Sequence, residues 1–496
     1  MQRAIASFPT RNGYDVLLLA LVGLIAAAQM WSAPDHFRTD SWLALAAGRE
    51  VWNGGIPHHD LLTAMSHGDR WIDQQWLGQL LTFGLDRIGG PGVLAAVAVA
   101  LTAGSFGALT IAARRLGAHG RALLLLMPLT AYPFFAQSWQ LRTQSFAYPL
   151  FAAVVLLLIQ DSRRPSRRVY LVLPLLLVWG NVHGSAILGA ALISLRGILS
   201  AWEARGSVEA RRWVRPVVLT LVAPALLLVT PYGVDIASYY RGTLLNPAFT
   251  ELATEWQPVT SDPALAVPLF LLAALALWTF LRHAGASTLW ERAALILLLV
   301  AGAMAVRNVV WVALAAVPIV GVSLARSVPS GPATTAPARL NRGIALATIV
   351  AMIAATIATL SRSAGSVDEH YPTHLLGALA RAAAAAPSAV VVTDLQYADW
   401  LLWREPELRG RVAFDARLEL LAARHIHGDA ALLSGAIAPG RGTHSDIRLF
   451  VLDRKSPDTP HALIAGLIAR LVRQPGHRVL YDDGRHLIIR ARPVRT

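Results

Sequence analysis

Long apolar runs separated by short polar breaks recur through the first 361 residues, and nothing else constrains the fold of this chain as strongly. A helix of about 18 apolar residues or more is long enough to cross the hydrocarbon core of a bilayer. Runs of this kind lie at roughly 14–32, 92–113, 121–138, 143–160, 169–183, 185–203, 216–232, 264–282, 292–306, 309–326 and 343–361. Composition agrees, since 55% of the 496 residues are hydrophobic and 15% are charged, against about 25% charged in a soluble domain. The expectation is a polytopic α-helical membrane protein of about eleven transmembrane helices.

The net charge of +14 does not point to nucleic acid, because the arginines cluster between apolar runs, where they act as topology signals. The loops starting at Arg114-Arg115, Arg163-Arg164, Arg205, Arg282 and Arg326 share one side with the N-terminus. The other side carries Asp40, Asp60, Asp73, Asp235, Glu251, Glu255 and Asp262. By the positive-inside rule the arginine side is cytoplasmic. The N-terminus is then cytoplasmic and, with an odd number of spans, the C-terminus is extracytoplasmic. The chain has no cysteine, which excludes thiol catalysis and cysteine metal sites. No small-residue cleavage site follows Met30-Trp31, so the first run reads as an uncleaved span.

The membrane part is expected to fill residues 1–361, with a first extracytoplasmic loop at 32–90. Within that loop, Leu77, Leu81, Leu85 and Ile88 share one helical face and Gln75, Gln79 and Asp86 the other. The Trp76–Ile88 segment is too short to span, so it reads as an interfacial helix, as does Trp42–Trp52 before Asn53-Gly54-Gly55. Another outer loop runs from Pro231 to Pro263, and Ser327–Arg342 reads as a linker. From residue 362 to 496 the composition becomes that of a soluble domain. Strands are expected at Ala389–Thr393, Val412-Ala413-Phe414, Ile447–Leu452, Arg478–Tyr481 and His486–Arg490, with helices at Tyr397–Trp403 and Ala462–Arg473. Asp482-Asp483-Gly484 is a hairpin signal. Strands alternating with helices make this a small α/β domain, placed outside the cytoplasm.

Several residues could carry chemistry. Asp40 follows the first span closely, where a carboxylate can bind a divalent ion such as Mg or Mn on phosphate oxygens, or take a proton from an acceptor hydroxyl. It can equally cap the helix that starts at Ser41. Asp60, in His58-His59-Asp60, can join Asp40 as a metal or substrate ligand; the histidine pair reads as a solvated loop. Arg142, His183 and Arg307 sit at the outer ends of spans, where positive charge runs against topology. Ionisable groups at membrane depth face an interior or an aqueous cavity, and guanidinium forks match phosphate oxygens. Snorkelling accounts for the arginines otherwise, and a tight inter-helix turn for His183. Glu255 beside Trp256 offers a sugar a hydroxyl acceptor and a stacking face, or simply anchors the interface. Asp394, Asp415 and Arg417 follow strand ends, where α/β domains bind ligands; cap and turn roles fit them as well.

The chain resembles bacterial multi-spanning proteins related to the GT-C class of glycosyltransferases, which includes the protein mannosyltransferases and the aminoarabinose transferases. The resemblance is carried by Asp40-Ser41-Trp42 with Gly48-Arg49, Gly55-Ile56-Pro57 with Asp60, and Gln75-Trp76-Leu77. It continues through Leu141-Arg142-Thr143-Gln144, Trp179-Gly180-Asn181-Val182-His183-Gly184, Pro231-Tyr232-Gly233, Glu255-Trp256 and Arg307-Asn308. It extends into Asp399-Trp400-Leu401-Leu402-Trp403 and Phe414-Asp415-Ala416-Arg417. It implies a multi-pass protein of the bacterial cytoplasmic membrane that moves a sugar from a polyprenyl-phosphate-linked donor to an extracytoplasmic glycan, lipid or protein acceptor. The position matching the catalytic acid of the class is Asp40. One acid stands there in place of an adjacent acidic pair, and the Trp-Trp-Asp motif of oligosaccharyltransferases is absent. In this reading Arg142 and Arg307 hold the donor phosphate, with Glu255 or Asp60 assisting Asp40. The alternatives are a lipid-linked saccharide transporter, against which no internal repeat is evident, and a non-catalytic scaffold presenting its outer domain.

Overall fold

A computed structural model of the chain describes residues 13–205, 209–245, 249, 253–330, 338–421, 447–455 and 461–491. Each expected apolar run holds helix. The first are α1 (Gly13–Trp31), α3 (Trp76–Arg115), α4 (Gly120–Gln137), α5 (Ala147–Arg163), α6 (Val172–Val182) and α7 (Ala186–Ala204). Helices at Pro263–Arg282, Leu289–Met304, Val309–Leu324 and Ala338–Leu360 follow. Among the described residues 7 helices are long and apolar enough to cross a membrane, and Arg212–Leu228 with Gly233–Leu244, bent by 100°, makes an eighth candidate. α4 runs unbroken over 18 residues with Pro128 and Pro133 inside it. In α6 only 11 residues are α-helical, because a 3₁₀ turn at Arg167–Leu171 precedes them and His183 is extended (φ −161°). The chain is a multi-pass, predominantly helical membrane protein with a small sheet near its C-terminus.

The chain divides into two compact units. One comprises Met1–Ala33, Gly89–Gly233 and Thr254–Arg362, and the other Pro34–Ile88, Val234–Ala253 and Ser363–Thr496. The expected Trp76–Ile88 helix is the first part of α3. It ends where Gly89 and Gly90 leave helical geometry, and the φ of +69° at Gly90 favours glycine.

In the first unit every residue of Val309–Leu324 is buried. It packs against α4, Leu289–Met304 and Pro263–Arg282. The Trp311 ring meets Tyr148, Phe151 and Trp179 with centroids 5.4, 5.0 and 6.0 Å apart. Such aromatic contacts stabilise beyond their buried area. Peripheral helices leave Leu271, Leu281, Ile296, Ile353 and Ile357 exposed, the faces a bilayer would cover. Charged side chains buried here are paired. Arg196 is held by Asp161 at 2.9 Å and Glu203 at 3.0 Å, which satisfies the rule that an intramembrane ion needs a partner.

The second unit is built on helix α2 (Thr39–Gly54) and a four-stranded sheet of β1 (Val390–Val392), β2 (Arg448–Asp453), β3 (Arg478–Asp482) and β4 (His486–Ala491). The order is β1-β2-β4-β3, with β1 parallel to β2 and the remaining pairs antiparallel. β2 is buried along its whole length, as its unbroken Leu-Phe-Val-Leu run requires. The strand expected at Val412-Ala413-Phe414 is instead a pair of single bridges. Val412 lies between Val391 and Thr63, and Ala64 and Met65 donate their N–H groups to the carbonyls of Val412 and Ala413 at 2.7 and 3.0 Å. A segment of the stretch between α2 and α3 thus takes the partner groups that a longer strand would have used.

Helix α2 packs on the Leu395–Arg404 helix. Arg49 explains the fit, donating to the carbonyls of Trp403 (2.9 Å) and Leu402 (2.6 Å) at that helix's C-terminus, where backbone acceptors lack partners. On another face, a Cβ at Gly48 would lie 2.2 Å from the Gln79 carbonyl oxygen. Only glycine permits this approach between α2 and the first part of α3. There the polar Gln79 is buried while Leu81 and Ile88 are exposed, an arrangement suited to a helix whose leucine face meets lipid.

Candidate functional site

In the first unit three helix-to-helix turns and one loop bring together five of the residues singled out in the sequence. Arg142 precedes α5, His183 ends α6, Arg307 joins Leu289–Met304 to Val309–Leu324, and Glu255-Trp256 lie in a 3₁₀ turn. Arg142 Nη1 donates to Glu255 Oε2, and Arg307 Nη1 lies 3.5 Å from Glu255 Oε1. The Arg307 guanidinium covers the Trp256 ring at 4.3 Å, a cation–π contact. Side chains of Arg142, Glu255 and Arg307 stay 23%, 24% and 23% exposed, so the cluster is open to a ligand.

Burial pushes the Glu255 carboxyl up, but the Arg142 and Arg307 guanidiniums outweigh it and hold the group down at about 2. Glu255 is therefore an anion that faces both cations. Neighbouring His183 carries no charge. Burial, then Arg307 and Arg142, lower it to about 3, so it is neutral. Its Nδ1 accepts from the Ser185 N–H at 3.1 Å, which leaves the proton on Nε2. The inter-helix turn and the polar site are thus served by the same ring.

Asp40 lies in the first turn of α2, half-buried. The cap position is Arg38, whose N–H donates to Ser41 Oγ at 3.1 Å. Ser41, not Asp40, closes the helix start. Asp60 is fully buried and densely bonded: Oδ1 accepts from Leu62 N (2.9 Å) and Arg417 Nη2 (2.7 Å), and Oδ2 from Ser66 (2.9 Å) and the Thr63 hydroxyl. A divalent ion at Asp60 would have to displace these donors.

Arg417 is the centre of a second cluster, in which acids outnumber cations. Its Nε contacts Asp415 Oδ2 at 2.8 Å and its Nη2 bridges Asp415 and Asp60, while its guanidinium covers Trp71 at 4.3 Å. Burial raises Asp60, but Arg417 and the Thr63 hydroxyl bring it below the usual range. Asp399 belongs to the Asp399-Trp400-Leu401-Leu402-Trp403 motif. It is fully buried, and neither oxygen meets a donor in ordinary hydrogen-bond geometry. Burial, then Asp415 and Asp40, raise its carboxyl well above the usual range. Burial also raises Asp73 to about 8. An acid in the middle of an apolar helix, as in Ala398-Asp399-Trp400, is the sequence signal for such a group. Asp394 caps Leu395–Arg404, accepting from Tyr397 N at 3.0 Å, and Asp415 accepts from Arg417 N at 3.0 Å; cap and turn roles are both realised.

No protein-family model and no curated protein matches the sequence. Among solved structures, ArnT from Cupriavidus metallidurans bound to undecaprenyl phosphate aligns at 15% identity over 96% of this chain and 98% of that one, with a TM-score of 0.52. ArnT in the apo state aligns over the same shares at 15% identity and a TM-score of 0.47. The Archaeoglobus fulgidus oligosaccharyltransferase in the apo form aligns at 11% identity over 91% of this chain and 70% of that one, with a TM-score of 0.46. The chain shares the fold of undecaprenyl-phosphate-bound ArnT.

Proposed function

We propose that this protein is a membrane transferase that moves a sugar from a polyprenyl-phosphate-linked donor to an extracytoplasmic acceptor. The observation that carries the proposal is the Arg142–Glu255–Arg307 cluster, in which two partly exposed guanidiniums meet on one carboxylate. Guanidinium forks match phosphate oxygens, and a polyprenyl phosphate brings such a headgroup to the membrane. The fold shared with undecaprenyl-phosphate-bound ArnT supports the same ligand class.

The chemistry follows. The bond between the sugar's anomeric carbon and the phosphate oxygen breaks as the acceptor oxygen forms its own bond to that carbon. Negative charge grows on the leaving phosphate, where Arg142 and Arg307 stabilise it. The acceptor's proton passes to a carboxylate, a role we assign to Asp40. Glu255 holds the two guanidiniums in place, Trp256 offers the sugar an aromatic face, and neutral His183 donates from Nε2. Asp60, with its oxygens already engaged, positions Arg417.

The experiment is incubation of the purified protein with a panel of polyprenyl-phosphate sugars, scoring polyprenyl phosphate release with and without Mg or Mn. Release with at least one donor, abolished in Asp40→Asn at an unchanged melting temperature, is the expected result. Full turnover in that variant removes Asp40 from the chemistry, and no release from any donor removes the transferase reading.

A further inference from the structure

The β3–β4 hairpin turns through Asp482-Asp483-Gly484-Arg485, with Gly484 at a φ of +90°. The turn fixes the Asp483 carboxylate: Oδ1 accepts the main-chain N–H groups of Arg485 at 2.8 Å and His486 at 2.6 Å. Oδ2 is thereby aimed at two imidazoles. His374 Nε2, from the turn before the Leu376–Ala384 helix, lies 2.6 Å away, and His486 Nδ1 lies 3.1 Å away. The three ligand atoms all fall within 4.8 Å of one another.

The far side of His486 decides what these atoms can do. Its Nε2 lies 3.4 Å from the Tyr397 hydroxyl, which donates its own proton to Asp453 Oδ2 at 2.9 Å. Arg485 Nη2 holds Asp453 in turn at 2.9 Å. The hydroxyl can therefore only accept from His486, which places the imidazole proton on Nε2 and the lone pair on Nδ1. That lone pair faces a carboxylate oxygen. Two acceptors in contact require a cation between them, either a second ring proton or a metal ion. A histidine whose remote nitrogen is held through a hydroxyl and a carboxylate is the usual support of a metal ligand.

We propose that His374 Nε2, Asp483 Oδ2 and His486 Nδ1 bind one transition-metal dication of the zinc class. Two imidazoles and one carboxylate suit zinc, cobalt or nickel; magnesium and calcium prefer all-oxygen sites. His374 and Asp483 are exposed, which leaves a fourth position to water. The ion would fasten the hairpin to the segment before the Leu376–Ala384 helix, and this holds whether or not the protein is a transferase.

The test uses the full chain in detergent, stripped with a chelator and titrated with Co²⁺, then with competing Zn²⁺. The wild type is expected to show the visible absorption of tetrahedral cobalt, displaced by one equivalent of Zn²⁺ and not by Mg²⁺. His374→Ala, at an exposed position, should lose that absorption and at least tenfold in Zn²⁺ affinity. Tyr397→Phe keeps all three ligands and should weaken Zn²⁺ by about 10–100-fold. Equal Zn²⁺ affinity in wild type and His374→Ala, or displacement of Co²⁺ by Mg²⁺, overturns the proposal and leaves a hydrogen-bonded ion pair.

Discussion

Two arginine-centred clusters, one in each unit, show how the same side chain serves opposite ends. Around Glu255, two guanidiniums share one carboxylate, and about a quarter of each side chain is exposed. Around Arg417, one buried guanidinium serves Asp60 and Asp415, while burial raises the Asp399 carboxyl and pushes Asp73 up to about 8. Cations that stay partly hydrated can meet a ligand. Excess charge that is fully buried must be neutralised from within. The first arrangement is suited to capturing an anion, the second to locking a fold.

The sharpest way to break this comparison is to remove charge from each cluster in turn. Replacing both Arg142 and Arg307 by alanine should reduce sugar transfer by at least about 100-fold, with little change in melting temperature. A comparable loss of stability would make that cluster structural as well. Replacing Arg417 by methionine should do the reverse in the other unit. It strands Asp60 and Asp415 without their cation, and breaking a buried pair costs about 3–5 kcal/mol, readable as a lowered melting temperature. Unchanged stability would show that the acids can share protons without the arginine.

A smaller effect comes from pH. Asp73 titrates near 8 in the folded protein and near about 3.9 when unfolded. The folded state therefore binds the extra proton between these values. Its stabilising influence is complete below about pH 4 and is lost as pH rises through 8. Asp73→Asn should flatten this part of the stability profile relative to wild type, measured by thermal unfolding from pH 5 to 9. Identical profiles would mean that Asp73 is already ionised in the fold.

The sequence was most legible where a single physical rule dominates. Each apolar run read as a span holds helix, though among the described residues only seven helices, or eight with the bent pair, are long and apolar enough to cross a membrane, and the Asp-Gly signal located the β3–β4 hairpin. Arg142, His183 and Arg307 stood out because cations at those span ends oppose topology, and they do gather around Glu255. Less was legible where partners come from distant segments. Val412 offers three apolar residues that look like a strand, yet Thr63 takes its free edge. Asp60 reads as a metal or substrate ligand joining Asp40 until Arg417, 357 residues later, is seen bonded to it. His374 carries no local signal at all, since its two companions lie more than a hundred positions away in the chain.

The absent side chain at Gly48 has a consequence for Asp40. With backbone set directly against backbone, α2 and the opening turns of α3 cannot slide or roll past one another and behave as a single stiff plate. The leucine-faced side of that plate settles at whatever depth the lipid dictates, and the carboxylate eight residues before the glycine is carried to a fixed height with it.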